Sequence, residues 1–323
     1  MIWTEGNLGN NEAGVRPENP YKRPTLNDWP GDGNMKVRLL PEIRKAPAMR
    51  GYLAAVAIAR DEGTYLAEWL EFHRLIGCEH MYLYDNGSVD NTADALRPYV
   101  DSGFVTWIPW VRFERNTHVQ KQAYAHALCT FGPQWRWMAF LDIDEFLFPV
   151  EEASLQSILP AYEDLPAIAT HWHTFGTSGH KRRPAGLVIE NYTHRARIPS
   201  SADSKGKLTR WKSVVDPTRV RAIDVHLFTL DHHVAGAYDE SRRWITKEHG
   251  RATTTSRVLR LNHYFTRSEE DYSAKLAKGA FRKDQDSGYR RRQRLAEMIE
   301  QDTVYDDTIL RFVQPLRERL AGR

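Results

Sequence analysis

From Tyr52 to Asp144, apolar runs of strand length alternate with stretches whose apolar residues recur at helical spacing. No other feature limits the fold as much. "YLAAVAIA" (52–59) contains no polar residue, as a strand covered on both faces requires. "RDEGTYLAEWLEFHRLIG" follows, with Leu66, Trp69, Leu70 and His73 on one helical face and Gly77 as a stop. "HMYLYD" (80–85) predicts a second strand, and "NGSVDNTADALRPYV" a loop that opens a helix with Ser88 and Asp90 as caps. The strand "FVTWIPW", the helix "HVQKQAYAHALCTF" and a fourth strand "WMAFLDID" complete the series. Strands joined through helices imply βαβ crossovers, so the expected class is α/β, a mostly parallel sheet flanked by helices.

The 323 residues suffice for one large domain or two small ones, with 41% hydrophobic and 27% charged residues. A net charge of +3 demands neither nucleic acid nor an anionic membrane. The two cysteines, Cys78 and Cys129, have no C-x-x-C spacing; they fit a reduced compartment and exclude a disulfide scaffold or a zinc ribbon. The start reads as no signal peptide, and no apolar run approaches the ~20 residues that span a bilayer. The expectation is a cytoplasmic protein, with a peripheral contact at the inner membrane face left open. Residues 1–50, rich in Pro, Gly and Asn, predict an extended arm.

"WMAFLDIDEFLFP" (137–149) carries Asp142, Asp144 and Glu145 inside an otherwise apolar segment. An unpaired buried charge costs several kcal/mol, so something must compensate them. Asp142 and Asp144 stand at i and i+2, so on an extended chain they face the same way, at the carboxyl end of the fourth strand where open α/β sheets bind ligands. Two hard oxygen ligands suit Mg²⁺ or Mn²⁺ holding substrate phosphates. D-x-D occurs widely by chance and, alone, favours a strand-end turn whose acids cap the next helix. A second acidic loop shifts the balance. "YDNGSVD" ends the second strand on the same rim, where Asp85 and Asn86 can bond a ribose or a base edge, or simply form an Asx-turn. "RDEG" (60–63) makes the first strand end polar as well.

The blocks "RDEGTYLAEWLEFHRLIGCEHMYLYDNGSVDNT", "QKQAYAHAL", "WMAFLDIDEFLFP", "WHTFGTSGH", "WKSVVDP" and "LNHYFTRSEEDYSAKLAKG" resemble, in this order, glycosyltransferase family 92 and its family-2-like relatives, over roughly residues 52–280. The resemblance implies a GT-A fold at 51–266, followed by a helical C-terminal segment at 267–323 packed on it. It implies a UDP-sugar donor, a galactose-like hexose, an inverting mechanism, a glycan or glycolipid acceptor and a divalent metal. It places Arg60, Glu62, Asp85, Asn86, Asp90 and Gln120 at the nucleoside. It places Asp142, Asp144 and His263 at the metal, and Lys212 at the diphosphate. The loop with Gly176, Gly179 and His180 would lie between donor and acceptor. Glu190 in "LVIENY" is the nearest candidate for the base that takes the acceptor proton, although a surface glutamate is an equally good account.

Two other functions remain open at this level: a metal-dependent phosphohydrolase or nucleotidyltransferase on a similar sheet, and a sugar-nucleotide-binding protein without turnover. The pairs "HWH" (171–173) and "DHH" (231–233) have no third ligand at metal spacing. His226 reads as a core histidine, "YRRRQR" as a solvated helix face, and Trp172 and Trp211 as rings placed to stack on sugars.

Overall fold

The computed structural model describes residues 37–38, 50–111, 118–197, 210–231, 235–246, 255–277 and 285–322. Most of the arm expected at 1–50 lies outside them. Within it, β1 (Val37–Arg38) pairs antiparallel with Ile223 and Ala222 in a small separate sheet.

The alternation produces the predicted units in order: β2 (Gly51–Ala59), α1 (Gly63–Leu75), β3 (His80–Asp85), α2 (Thr92–Asp101), β4 (Val105–Pro109), α3 (Val119–Thr130) and β5 (Trp135–Phe140). These four strands are parallel and lie in the order β4-β3-β2-β5. The side chains of β2 alternate between two cores. Leu53, Ala55 and Ala57 pack with Leu66, Trp69 and Leu70 of α1, whereas Ala54 and Val56 pack with Tyr124 and Leu128 of α3. Burial on both faces explains why the run lacks polar residues.

Beyond β5 the sheet is mixed. After β6 (Glu145–Pro149) and the short α4 (Leu155–Ile158) comes β7 (Ala167–Phe175); α5 (Val188–Asn191) and β8 (His194–Ala196) follow. Then β9 (Trp211–Val215) inserts antiparallel between β5 and β7. The chain continues through β10 (Val220–Ile223), β11 (Thr229–Leu230), β12 (Ala237–Tyr238) and β13 (Trp244–Ile245) to β14 (Leu259–Tyr264). The far half of β7 leaves β9 and pairs parallel with β14, which pairs antiparallel with β6. That register sets His263 opposite Glu145 on one side and Thr174 on the other. Four further elements, α6 (Glu269–Ala277), α7 (Gln285–Gln301), β15 (Thr303–Tyr305) and α8 (Val313–Ala321), end the chain. Among the described residues no helix is long and apolar enough to cross a membrane.

Candidate active site

β5 stops at Phe140, four residues before the expected end at Asp144. The aspartates therefore do not share one face of a strand. Residues 141–144 turn instead: the Glu145 N–H donates to the Asp142 carbonyl (3.0 Å), and the Asp142 N–H donates to Glu145 Oε2 (2.8 Å). The indole N–H of Trp69, from α1, donates to the Glu145 carbonyl (2.8 Å) and ties the turn to the sheet's helical layer.

The turn sends the acids to different partners. Asp142 Oδ1 accepts from Gln120 Nε2 of α3 (2.7 Å), and its Oδ2 lies 3.0 Å from Lys212 Nζ of β9. The same ammonium is 3.3 Å from Glu145 Oε2. Asp144 Oδ2 accepts from Lys275 Nζ of α6 (2.6 Å) and faces His263 Nε2 at 3.5 Å. Arg267 reaches the Ile143 carbonyl (3.3 Å) and Glu62 Oε2 (3.1 Å). The missing compensation is thus a set of basic side chains supplied by later parts of the chain.

Electrostatics follow from burial and these pairs. Burial works to raise the Asp144 carboxyl, but Lys275 and then His263 overcome it and hold the group well below the usual carboxylate range. Glu145, wholly buried, is pushed well above its ordinary value by desolvation, which Lys212 only partly offsets. Desolvation would lower Lys212, but Asp142 and Glu145 keep it well above the ordinary lysine value and hence charged. His263 is lowered by burial despite Asp144, so its ring is neutral at pH 7 and available as a ligand.

The neighbouring strand ends are built from Asx and capping bonds. Asp85 Oδ1 accepts from the Ser88 N–H (2.9 Å), and the Asn86 N–H donates to Ala59 at the end of β2 (2.8 Å). Asp90 accepts from the N–H of Gly63 (3.0 Å) and of Thr92 (2.9 Å), the first residues of α1 and α2. Ser88 does not cap α2; its hydroxyl accepts from the Asp61 N–H (2.9 Å). Gly63 is required by this crossing, since a Cβ there would stand 2.4 Å from Asn91 Oδ1. Asn86 Oδ1 at this rim is buried without a hydrogen-bond partner. Arg60 stands at the rim with Nε 3.8 Å from Asp61.

Three expected positions differ in kind from their sequence reading. Lys212 is buried behind Asp142, with its ammonium on that carboxylate rather than at the open rim. Both oxygens of Glu190 are taken by the Arg317 guanidinium of α8 (2.7 Å each), because α5 directs it toward the C-terminal helix; no contact joins it to Asp142 or Asp144. Trp172 packs on the His263 ring (centroids 4.2 Å apart) and orients it. The loop after β7 keeps its tight geometry: Gly179 has φ +82°, and the His180 ring bonds the Asn191 carbonyl (3.1 Å).

Sequence reasoning missed Lys275, Arg267 and Arg183, which line a pocket beside Asp144 with Tyr65 and Asp271. Their signal was Ser268-x-x-Asp271, a capping-box pattern that opens α6: the Asp271 N–H donates to Ser268 Oγ (3.1 Å), whose hydroxyl donates to Asp271 Oδ2 (2.7 Å). It fixes the helix, and with it the inward face that carries Lys275.

Two carboxylates and a neutral imidazole suit a divalent cation in donor type, and the ammonium on Asp144 marks a place that attracts positive charge. As the side chains stand, no three His, Cys, Asp or Glu groups among the described residues are arranged around a metal position.

A parallel β4-β3-β2-β5 half, an antiparallel β9, a divided β7 and an acidic turn at the carboxyl rim define a GT-A-type glycosyltransferase fold. The glycosyltransferase family 92 model matches residues 53–285, and the chain belongs to that family. It is 27% identical to a family 92 protein of Ricinus communis over 230 residues, 68% of this chain and 37% of that one. Over 105 residues, 31% of this chain and 20% of the relative, it is 28% identical to a galactan β-1,4-galactosyltransferase of Arabidopsis thaliana. The chain thus spans little more than a third of the Ricinus relative's length. A crystal structure of S. aureus TarS superposes with TM-score 0.38 at 12% identity, covering 70% of this chain and 63% of that one.

Proposed function

We propose that this protein transfers a galactose-like hexose from a UDP-sugar to a hydroxyl of a glycan or glycolipid, with inversion and with Mn²⁺ or Mg²⁺. The observation that carries this reading is the meeting of Asp144, His263 and Lys275 beside the acidic turn, in a chain of family 92. The likeness to a galactan galactosyltransferase supports the choice of sugar.

Asp142, Asp144 and His263 would hold the cation, which when bound supplies charge to the departing diphosphate. Lys275 and Arg267 would add positive charge on the same side. Asn86, with its unused acceptor, and Asp85 would meet the uracil and ribose; Arg60, Glu62, Asp90 and Gln120 would line the nucleoside side. Gly176, Gly179 and His180 would shape the acceptor side. Inversion also needs a group to take the acceptor proton; Glu190, held by Arg317, is not assigned that part. A glycolipid acceptor would bring the protein to the inner face of a membrane.

The test is a donor panel of UDP-galactose, UDP-glucose, UDP-N-acetylglucosamine and GDP-mannose, with Mn²⁺ and a set of glycan and glycolipid acceptors, read by NMR of the first product. UDP-galactose should react fastest and yield the inverted anomer. Equal nucleotide release with and without acceptor would make the protein a hydrolase, and binding without turnover would make it a recognition protein.

A further inference from the structure

We propose that Lys275 is a tethered cation that holds the Asp144 carboxylate in the nucleotide-free protein and yields it to the metal ion arriving with the nucleotide diphosphate, so that metal binding depends on the nucleotide. The proposal rests on the reading of Asp144 as part of a metal–diphosphate site.

Lys275 and His263 converge on one oxygen, Asp144 Oδ2, at 2.6 and 3.5 Å. A metal lying between Asp144 Oδ2 and His263 Nε2 would compete with the ammonium for that oxygen. The two lysines of the site differ in a way that matters. The Lys212 side chain is 1% exposed and fixed between Asp142 and Glu145, whereas the Lys275 side chain is 33% exposed. Removing Lys212 from its partners would strand a charge in the interior; Lys275 can leave Asp144 and be solvated. Its remaining ties are a bond to the Phe265 carbonyl (2.9 Å) and the face of the Phe265 ring (4.7 Å), contacts of the kind a lysine exchanges readily.

Lys275 also lines the pocket next to Asp144, where Thr266 Oγ1 and Arg267 Nε are buried without partners. An anionic group entering there would meet unspent donors. A divalent ion added to Asp144 with the ammonium still in place would meet a like charge at close range, and the repulsion falls only when a polyanion stands between them. The diphosphate is such a polyanion. The exchange replaces one cation by another on the carboxylate and needs no proton transfer or covalent step. Lys275 is then a positioning residue for the metal, and the freed ammonium is a second cation for the phosphates.

The experiment is a Mn²⁺ titration of the full chain, with free Mn²⁺ read by electron paramagnetic resonance and with or without saturating UDP. For the wild-type protein, UDP should tighten Mn²⁺ binding at least tenfold. Lys275→Met should bind Mn²⁺ at least tenfold tighter than wild type without UDP, and UDP should then add less than threefold. Lys275→Arg, which keeps the charge, should stay as weak as wild type. Should the Met variant not fold, Lys275→Gln carries the same expectation. Lys275→Met binding no tighter than wild type, with binding lost in Asp144→Asn, overturns the proposal alone. An unchanged midpoint in Asp144→Asn removes the metal from Asp144 and overturns the functional reading with it.

Discussion

Lys212→Met probes the electrostatic support of the site. The ammonium is buried 3.0 Å from Asp142 and 3.3 Å from Glu145, and Met keeps most of the stem while removing the charge. Taking one partner from a buried pair ordinarily destabilises by about 3–5 kcal/mol, because the other charge is left uncompensated. Two features place this pair near the lower end. The Asp142 side chain is 33% exposed, so water can take over its solvation, and burial already holds Glu145 toward its neutral form. The expected loss is about 3 kcal/mol by that range, or roughly 6–12 °C in Tm at the 2–4 °C per kcal/mol typical of domains near this size. Urea denaturation and thermal melts measure it directly. Lys275→Met, which removes an ammonium that is 33% exposed, should lose less than Lys212→Met. Asp142→Asn placed on Lys212→Met should recover stability, since it removes the orphaned charge. A loss below about 1 kcal/mol in Lys212→Met, or no recovery in the double variant, would refute the pairing as the source of compensation.

Glu190→Gln should retain transfer within a few fold of wild type, because the structure commits this carboxylate to Arg317; a loss of about a hundredfold or more in kcat, the scale of general-base catalysis, would restore it as the base. UDP with Mn²⁺ should raise Tm more than GDP does; at 100 times its Kd, UDP adds about 2.7 kcal/mol of stability over the unliganded protein, and an equal response to GDP would reassign the nucleoside site. Acid should weaken the fold through His73, whose wholly buried ring is lowered to about 4 by desolvation. The unfolded imidazole titrates near 6.5, so its contribution is present above about pH 6.5 and is lost as pH falls toward 4, up to about 3 kcal/mol in all. His73→Gln should therefore flatten the stability profile over that window, and an unchanged slope would contradict the assignment.

The parallel half was legible because its signals are local. β3 falls on "HMYLYD" without a shift, and β2 and β4 within a residue or two, since apolar runs bounded by turn residues mark a strand buried on both faces. β5 ends early because the bonds between Asp142 and Glu145 close a turn that an apolar run does not announce. The antiparallel β9 and the division of β7 depend on pairings between distant segments, which composition does not encode. The acids of the site lay in plain view, whereas their counter-charges did not: Lys275 meets Asp144 across 131 residues, and Arg267 meets Glu62 across 205. Capping and ligand binding also draw on the same residue types, so Asp85 and Asp90 could be placed at the rim but not divided between the two uses until their partners were known.

In the proposed function Asp144 serves transfer chemistry rather than folding alone. The direct measurement is the rate of sugar transfer from UDP-galactose by Asp144→Asn, with circular dichroism and Tm recorded on the same preparation. Asn keeps the shape and removes the charge that Lys275 and His263 converge on. The expected result is loss of transfer with the fold retained. Transfer at the wild-type rate, with unchanged metal dependence, would contradict the account.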